Sequence, residues 1–261
     1  MVDVAPTSLD ATRTRAAAVS LRDVTKRYGN GRGSVLALDG VSLEVERGEF
    51  VCIVGASGCG KSTLLSLVAG LDPVTSGQVS VEGRTAFMFQ ESALLPWRSA
   101  LQNVELALKL RDVPRRERRD RARDLLSLVR LDDFADSMPH ELSGGMRQRV
   151  ALARSRAQDA DILLMDEPFG ALDAITRDVL HDEIERVAAQ QHLTVMFVTH
   201  NVREAARLGD RIVLLSSRPG KVAAEFRVDV ARPRRIEAPD VSAIAGEVTV
   251  KLREEVRRHA R

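Results

Sequence analysis

The stretch Gly55-Ala56-Ser57-Gly58-Cys59-Gly60-Lys61-Ser62-Thr63 follows the apolar run Phe50-Val51-Cys52-Ile53-Val54. A run without polar alternation fits a strand buried on both faces, as in a parallel sheet. Residues 62–69 then have a helical pattern, and Gly70 and Pro73 supply its stop signals. The stretch matches GxxxxGK[ST], a phosphate-binding loop between a strand and a helix. The chemistry explains the residue types. Glycine lets backbone N–H groups approach phosphate oxygens and adopts the dihedrals such a loop needs. The helix aims its free N–H groups and positive dipole end at the anion. Lys61 adds a mobile positive charge for the β- and γ-phosphates, and the Ser62 hydroxyl is a hard oxygen suited to Mg²⁺.

Outward from this loop, Ile162-Leu163-Leu164-Met165-Asp166-Glu167 predicts a second buried strand with two carboxylates at its C-terminal end. Ligands of parallel sheets bind at that end. Asp166 is placed to hold Mg²⁺ and Glu167 to polarise an attacking water. Taken alone, such a pair before Pro168 would be two solvated acids; the phosphate loop changes its meaning.

Residues 195–198 and 212–215 predict further core strands separated by helical patterns, a βαβ rhythm that implies a parallel sheet. Residues 41–46 alternate apolar and polar, and 19–24 do so less regularly, which predicts an N-terminal antiparallel β layer. Residues 79–81 and 86–89 predict two more short strands. From 94 to about 158 strand patterns are scarce. Pro114 suits the first turn of a helix, and Ala122, Leu125, Leu126 and Val129 recur at helical spacing, so this stretch predicts an inserted helical lobe. The arginines of 115–123 lie mostly off that apolar face, as on a solvated helix. The pattern fades beyond about Ala224, with a turn over 232–235 and a short charged helix over 248–259. The expected organisation is a flexible tail over 1–18, one α/β nucleotide-binding domain over 19–225, and a C-terminal extension over 226–261.

Composition bounds the function. A net charge of +2 lacks the basic excess of a nucleic-acid-binding surface, so no nucleic-acid partner is expected. The two cysteines, Cys52 and Cys59, offer no disulfide framework. No apolar run approaches the ~20 residues of a membrane-spanning helix, so any work at a membrane needs other chains.

Leu142-Ser143-Gly144-Gly145-Met146-Arg147-Gln148-Arg149 is a second anion site by the same physics, a hydroxyl and two glycine N–H groups ahead of a helix. It resembles the signature motif of the ABC ATPases. Further landmarks of that family stand in order. Tyr28 resembles the aromatic that stacks on adenine, and Gln90 the glutamine that senses Mg²⁺ and the attacking water. Ala171-Leu172-Asp173 resembles the loop that crosses to a partner subunit, and His200 the switch histidine on the γ-phosphate. The resemblance covers roughly residues 19–225 and implies a P-loop NTPase fold of the ABC type. It implies catalytic roles for Glu167, His200 and Gln90, and a Mg²⁺ set of Ser62, Gln90 and Asp166. It implies ATP contacts at Tyr28, Gly55, Ala56, Ser57, Gly58, Cys59, Gly60, Lys61, Ser62, Thr63, Gln90, Ser143, Gly144, Gly145, Gln148, Asp166 and Asp173. His140, His181, His192 and His259 fall in no motif and receive no chemistry.

The family resemblance also implies partners. Two cassettes pair head to tail, each ATP lying between the phosphate loop of one and the signature of the other, in a closed isologous dimer. Phe87-Met88-Phe89-Gln90-Glu91-Ser92-Ala93-Leu94-Leu95-Pro96-Trp97-Arg98 and Thr199-His200-Asn201-Val202-Arg203-Glu204-Ala205 look like the nitrate/sulfonate/taurine group of bacterial importers. Residues 228–235 resemble the tail of the aliphatic sulfonate members. That group implies transmembrane permease subunits, an extracytoplasmic solute-binding protein and a peripheral place on the cytoplasmic face of the membrane. Leu94, Leu95, Pro96 and Trp97 are then candidates for a permease-docking groove, core packing of the lobe being the simpler alternative. A non-transport ABC ATPase is the contrasting class. A single cassette and the short interval from Lys61 to Leu142 count against ribosome-acting and DNA-repair types.

Overall fold

The computed structural model of the chain describes residues 17–170 and 172–259. Two sheets share one domain. β1 (Ala17–Tyr28), β2 (Val35–Glu46) and β4 (Ser76–Val81) form an antiparallel sheet in the order β2-β1-β4. The core sheet has the order β5-β6-β7-β3-β8-β9, with β3 (Phe50–Val54), β5 (Thr85–Met88), β6 (Ile162–Asp166), β7 (Thr194–Val198) and β8 (Arg211–Leu215). Those five strands run parallel, and β9 (Val222–Arg227) is an antiparallel edge. This is the mainly parallel core with an N-terminal antiparallel layer that the sequence predicts. All five residues of β3 are buried, because strands and helices cover both of its faces. β2 alternates buried and exposed over 41–46, as one-sided packing demands.

The core sheet separates two apolar clusters. One lies between it, α1 (Lys61–Val68) and the antiparallel layer, and includes Leu38, Val51, Ile53 and Leu64. The other lies on the opposite face and holds the helices of the lobe, α2 (Ala100–Leu110), α3 (Arg115–Leu128) and α4 (Gly144–Arg156), together with α5 (Ala174–Gln191) and α6 (Val202–Leu208). α2 starts at a capping box in which Ser99 and Gln102 satisfy each other's backbone N–H groups. α3 is mostly polar and buries only Ala122 and Leu126 within its span. Truncating Leu126 to Ala therefore threatens its attachment, at about 2–5 kcal/mol.

Several boundaries differ from expectation. Pro114 is the residue before α3, with ψ of 138°, rather than a first-turn residue. Phe89 lies beyond β5, and residues 79–81 belong to the antiparallel layer as β4. The predicted tail over 1–18 ends earlier, since Ala17 and Ala18 open β1; residues 1–16 lie outside the described part. The C-terminal extension is no separate piece. β9 crosses the expected boundary at 225, and α7 (Pro239–His259) is a 21-residue helix rather than a short one over 248–259. Val228, Val241, Ala245 and Val248 join the larger apolar cluster, so the end of the chain completes the core.

Candidate active site

The phosphate loop leaves the C-terminal end of β3, the strand held between β7 and β8 at the middle of the sheet. Gly58 and Gly60 have φ of 73° and 104°, a left-handed region that favours glycine. At Gly60 a Cβ would also stand 2.7 Å from Leu38 Cδ2 and 2.9 Å from the Ala37 oxygen. Lys61 curls back over the loop, its Nζ donating to the carbonyls of Gly55 at 3.0 Å and Ala56 at 3.1 Å. Cys59 is packed inward, and burial pushes its thiol up, so it serves as a small apolar filler beneath the loop.

β6 delivers the two acids beside this loop. The Asp166 carboxyl lies beside the Ser62 hydroxyl, which draws it down, but burial is the larger influence and holds it above its ordinary value. Ser62 and Asp166 thus set two hard oxygens side by side at the start of α1, the donor type that Mg²⁺ selects over softer metals. Glu167 has φ of 44°, rare for a side-chain-bearing residue, and its N–H donates to the Val198 carbonyl at 3.0 Å. That conformation aims its carboxylate between two partners. Oε2 meets His200 Nδ1 at 3.0 Å and Oε1 stands 4.0 Å from Lys61 Nζ. His200 follows β7 and its side chain is 64% exposed. The structure therefore brings Lys61, Ser62, Asp166, Glu167 and His200 together at one end of the sheet.

Tyr28 sits at the end of β1 with its ring half exposed. Its hydroxyl donates to Asp72 Oδ2 at 2.7 Å, and Lys26 Nζ lies 4.7 Å from the ring centroid. The Lys26 ammonium binds the same carboxylate at 2.6 Å. Burial, then the Asp72 bond, hold the phenol above its ordinary value, while the Lys26 and Tyr28 bonds hold the Asp72 carboxyl below its own. Thr63, at the end of the phosphate loop, draws the phenol the other way.

The signature residues behave differently. Ser143 caps α4 by accepting from the Met146 N–H at 3.2 Å. A Cβ on Gly145 would stand 2.2 Å from Thr176 Cγ2, and one on Gly144 3.3 Å from Leu172 Cδ2, so these glycines let α4 close on the start of α5. Asp173 caps α5 by accepting from the Thr176 N–H at 2.9 Å, a bond that lowers its carboxyl. Ala171 of the predicted crossing loop lies outside the described residues. Gln148 takes another place than the sequence predicts. It is buried, and its amide donates to the Gln90 carbonyl at 2.9 Å, so it links α4 to the segment after β5. Gln90 itself is exposed.

Sequence reasoning gave Arg154 no part. Its guanidinium leaves α4 and donates to the carbonyls of Ala93 at 2.6 Å and Ser92 at 2.9 Å. Together with Gln148 it fixes the chain just after Gln90. No local pattern announces this, because the acceptors are backbone oxygens some 60 positions away.

A family model described as ABC transporter matches residues 38–170. The chain belongs to the ABC transporter family. A taurine import ATP-binding protein of Rhizobium johnstonii is 46% identical over 240 residues, covering 88% of this chain and 90% of that protein. An aliphatic sulfonates import ATP-binding protein of Mesorhizobium japonicum is 45% identical over 241 residues, covering 90% and 88%. A nitrate import ATP-binding protein of Synechocystis is 44% identical over 220 residues, covering 81% and 83%. Among solved structures, a dimeric ATP-binding cassette in a post-hydrolysis state bound to ADP and Pi superposes with a TM-score of 0.74 at 35% identity, covering 82% of this chain and 100% of that one. The protein is thus an ATP-binding cassette with ATPase activity, as its loops predict. Among its described residues no helix is long and apolar enough to cross a membrane.

Proposed function

We propose that this cassette drives a bacterial importer from the cytoplasmic face of the membrane, hydrolysing ATP to take up a small oxyanion, an aliphatic sulfonate first, with taurine or nitrate as alternatives. One observation carries the hydrolytic part: Glu167 is held between His200 at 3.0 Å and Lys61 at 4.0 Å, at the mouth of the phosphate loop. In this reading the loop N–H groups and Lys61 grip the β- and γ-phosphates, and Tyr28 stacks on adenine. Glu167 polarises the attacking water, and His200 meets the γ-phosphate. Ser62, Asp166 and Gln90 would hold Mg²⁺, which when bound neutralises charge on the phosphate oxygens. The cargo rests on the relatives' names, since this subunit has no contact with cargo.

The signature residues Ser143, Gly144 and Gly145 complete the site of a second copy, so the working unit is a head-to-tail dimer with ATP between its halves. The capping of α4 by Ser143, which leaves the residue exposed at a helix N-terminus, supports this. Glu167→Gln removes the water-polarising charge and keeps the shape. The variant is expected to lose hydrolysis by at least about 100-fold and to dimerise on addition of ATP, as followed by light scattering. A variant that remains monomeric at saturating ATP would sink the dimer reading.

Transmembrane permease subunits and an extracytoplasmic solute-binding protein complete the proposed importer. A groove of about 660 Å³ supports the permease contact; Leu95, Leu106, Ala107 and Leu110 line it, with Arg84 and Arg154 at its polar side. Trp97 is 69% exposed nearby, so core packing does not account for it. Leu94 instead packs against the core. The proposed occupant is a short amphipathic helix of the permease. For the cargo, a host strain lacking this chain should fail to grow on an alkanesulfonate as sole sulfur source. Loss of growth on nitrate as sole nitrogen source would move the assignment to nitrate.

A further inference from the structure

His200 reaches solvent and meets Glu167, but its main-chain position is set from behind by a buried polar set. Glu204, 4% exposed on α6, accepts at both oxygens. Its Oε1 lies 2.6 Å from His181 Nε2, and its Oε2 accepts the Thr199 hydroxyl proton. The Thr199 oxygen in turn accepts the Asn201 N–H at 3.0 Å, so the threonine and asparagine flanking His200 are tied to one carboxylate. Behind Glu204, Arg207 Nη1 stands 3.2 Å from His181 Nδ1, and its two ends reach Asp178 at 2.9 Å and Asp182 at 2.6 Å. A guanidinium has only N–H donors. His181 Nδ1 must therefore accept, which places the ring proton on Nε2 and directs it at Glu204. His181 is fully buried on α5, the helix that Asp173 caps, and it meets the Phe169 ring edge-on at 5.4 Å between centroids. Phe169 follows Glu167 by two positions.

We infer that Glu204 and His181 are positioning residues for hydrolysis, holding Thr199 so that His200 stands at the Glu167 carboxylate. This rests on the proposed role of His200. A buried charged set of this kind adds little stability over apolar packing of the same volume. What it adds is direction, because each member accepts or donates along a fixed line. A cavity of about 20 Å³, the size of roughly one water, is lined by Glu167, Thr199, His200 and Glu204. Glu204 and the Glu167–His200 pair thus face one small space, with Thr199 in its wall.

Thr199→Val removes the hydroxyl at constant volume, and Thr199→Ser keeps it. In steady-state ATPase assays the valine variant should lose at least about tenfold in kcat while its KM for ATP stays within about twofold, and the serine variant should stay within about threefold of wild type. Glu204→Gln cannot accept at both oxygens and should match the valine variant. With His200→Ala already present, Thr199→Val should add less than about twofold, since it acts through the lost side chain. Wild-type kcat in Thr199→Val, losses that multiply in the double variant, or failure of both Thr199→Val and Glu204→Gln to fold would each overturn the inference. If His200→Ala alone hydrolyses ATP at the wild-type rate, the assignment of His200 fails first. A slow His200→Ala beside a fast Thr199→Val overturns only the role of the buried set.

Discussion

Tyr28 shows how a single side chain can be pre-set for a ligand. An exposed aromatic ring is free to rotate unless its polar end is anchored, and here Asp72 takes the hydroxyl while Lys26 covers one face. Under the proposed role, a ring ordered in advance loses less freedom when adenine stacks on it. The phenolate form is disfavoured by burial and by the neighbouring carboxylate, so the Tyr28 phenol titrates above its ordinary value. Tyr28 is the sole tyrosine of the chain, so absorbance reports it without interference. Asp72→Asn removes the neighbouring negative charge, and the phenol should then ionise at a lower pH than in wild type. The freed ring should also weaken ATP binding several-fold, measured by calorimetry. An unchanged titration midpoint would show that Asp72 does not anchor the ring. The pairing was hidden in the sequence because Asp72 lies 44 positions from Tyr28, after the helix of the phosphate loop. The loop itself was legible, since its glycines, lysine and hydroxyls serve one local backbone shape.

At the scale of elements, the end of the chain departs most from its sequence reading, and Arg234 explains why. Residues 232–235 carry turn signals, yet Arg234 is buried and donates to the carbonyls of Val230 at 2.8 Å, Val228 at 2.9 Å, Arg207 at 3.2 Å and Gly209. These acceptors come from α6, from the turn after it and from the chain leaving β9. One guanidinium thus gathers three pieces of backbone, and α7 can then lay Val241, Ala245 and Val248 on the core. Burial of the charge lowers the pKa of this arginine, but its bonds keep it in place. Arg234→Leu leaves those carbonyls without their donor and should destabilise the protein by about 2–4 kcal/mol. A calorimetric melt reads this as a clear drop in midpoint, with ATP affinity retained because the phosphate loop is untouched. A melt like that of wild type would refute the anchoring. Local pattern reveals elements that pack on their own sequence period, such as β3, β6 and β7. β9 was missed because an edge strand of half-buried residues has neither a continuous apolar run nor clean alternation. The start of α7 was missed because its apolar positions face a surface made by distant residues.

The whole molecule presents two unequal surfaces. Around the phosphate loop the exposed groups are charged and hydroxylic, suited to a nucleotide and to a second copy's signature. On the side of the helical lobe Trp97 and Leu110 are large exposed apolar residues beside an apolar groove, while α3 presents arginines to solvent. Gln148 and Arg154 of α4 connect the two regions. α4 carries the signature glycines at its start and, through these side chains, holds the segment of Gln90, Ser92 and Ala93, which runs on to Leu95 of the groove. Trp97 makes this surface observable, since it is the sole tryptophan. Its emission should be that of a water-exposed indole in the isolated cassette, and addition of purified permease in detergent should shift it to the blue and shield it from acrylamide. Trp97→Ala should keep the ATPase activity of the isolated cassette, because no residue of the phosphate loop touches it, while weakening assembly by about 1–3 kcal/mol, as expected for a large aromatic anchor. Pull-down affinity separates the two effects. A variant that assembles as wild type, with emission indifferent to the permease, would mean that the groove is not the docking site.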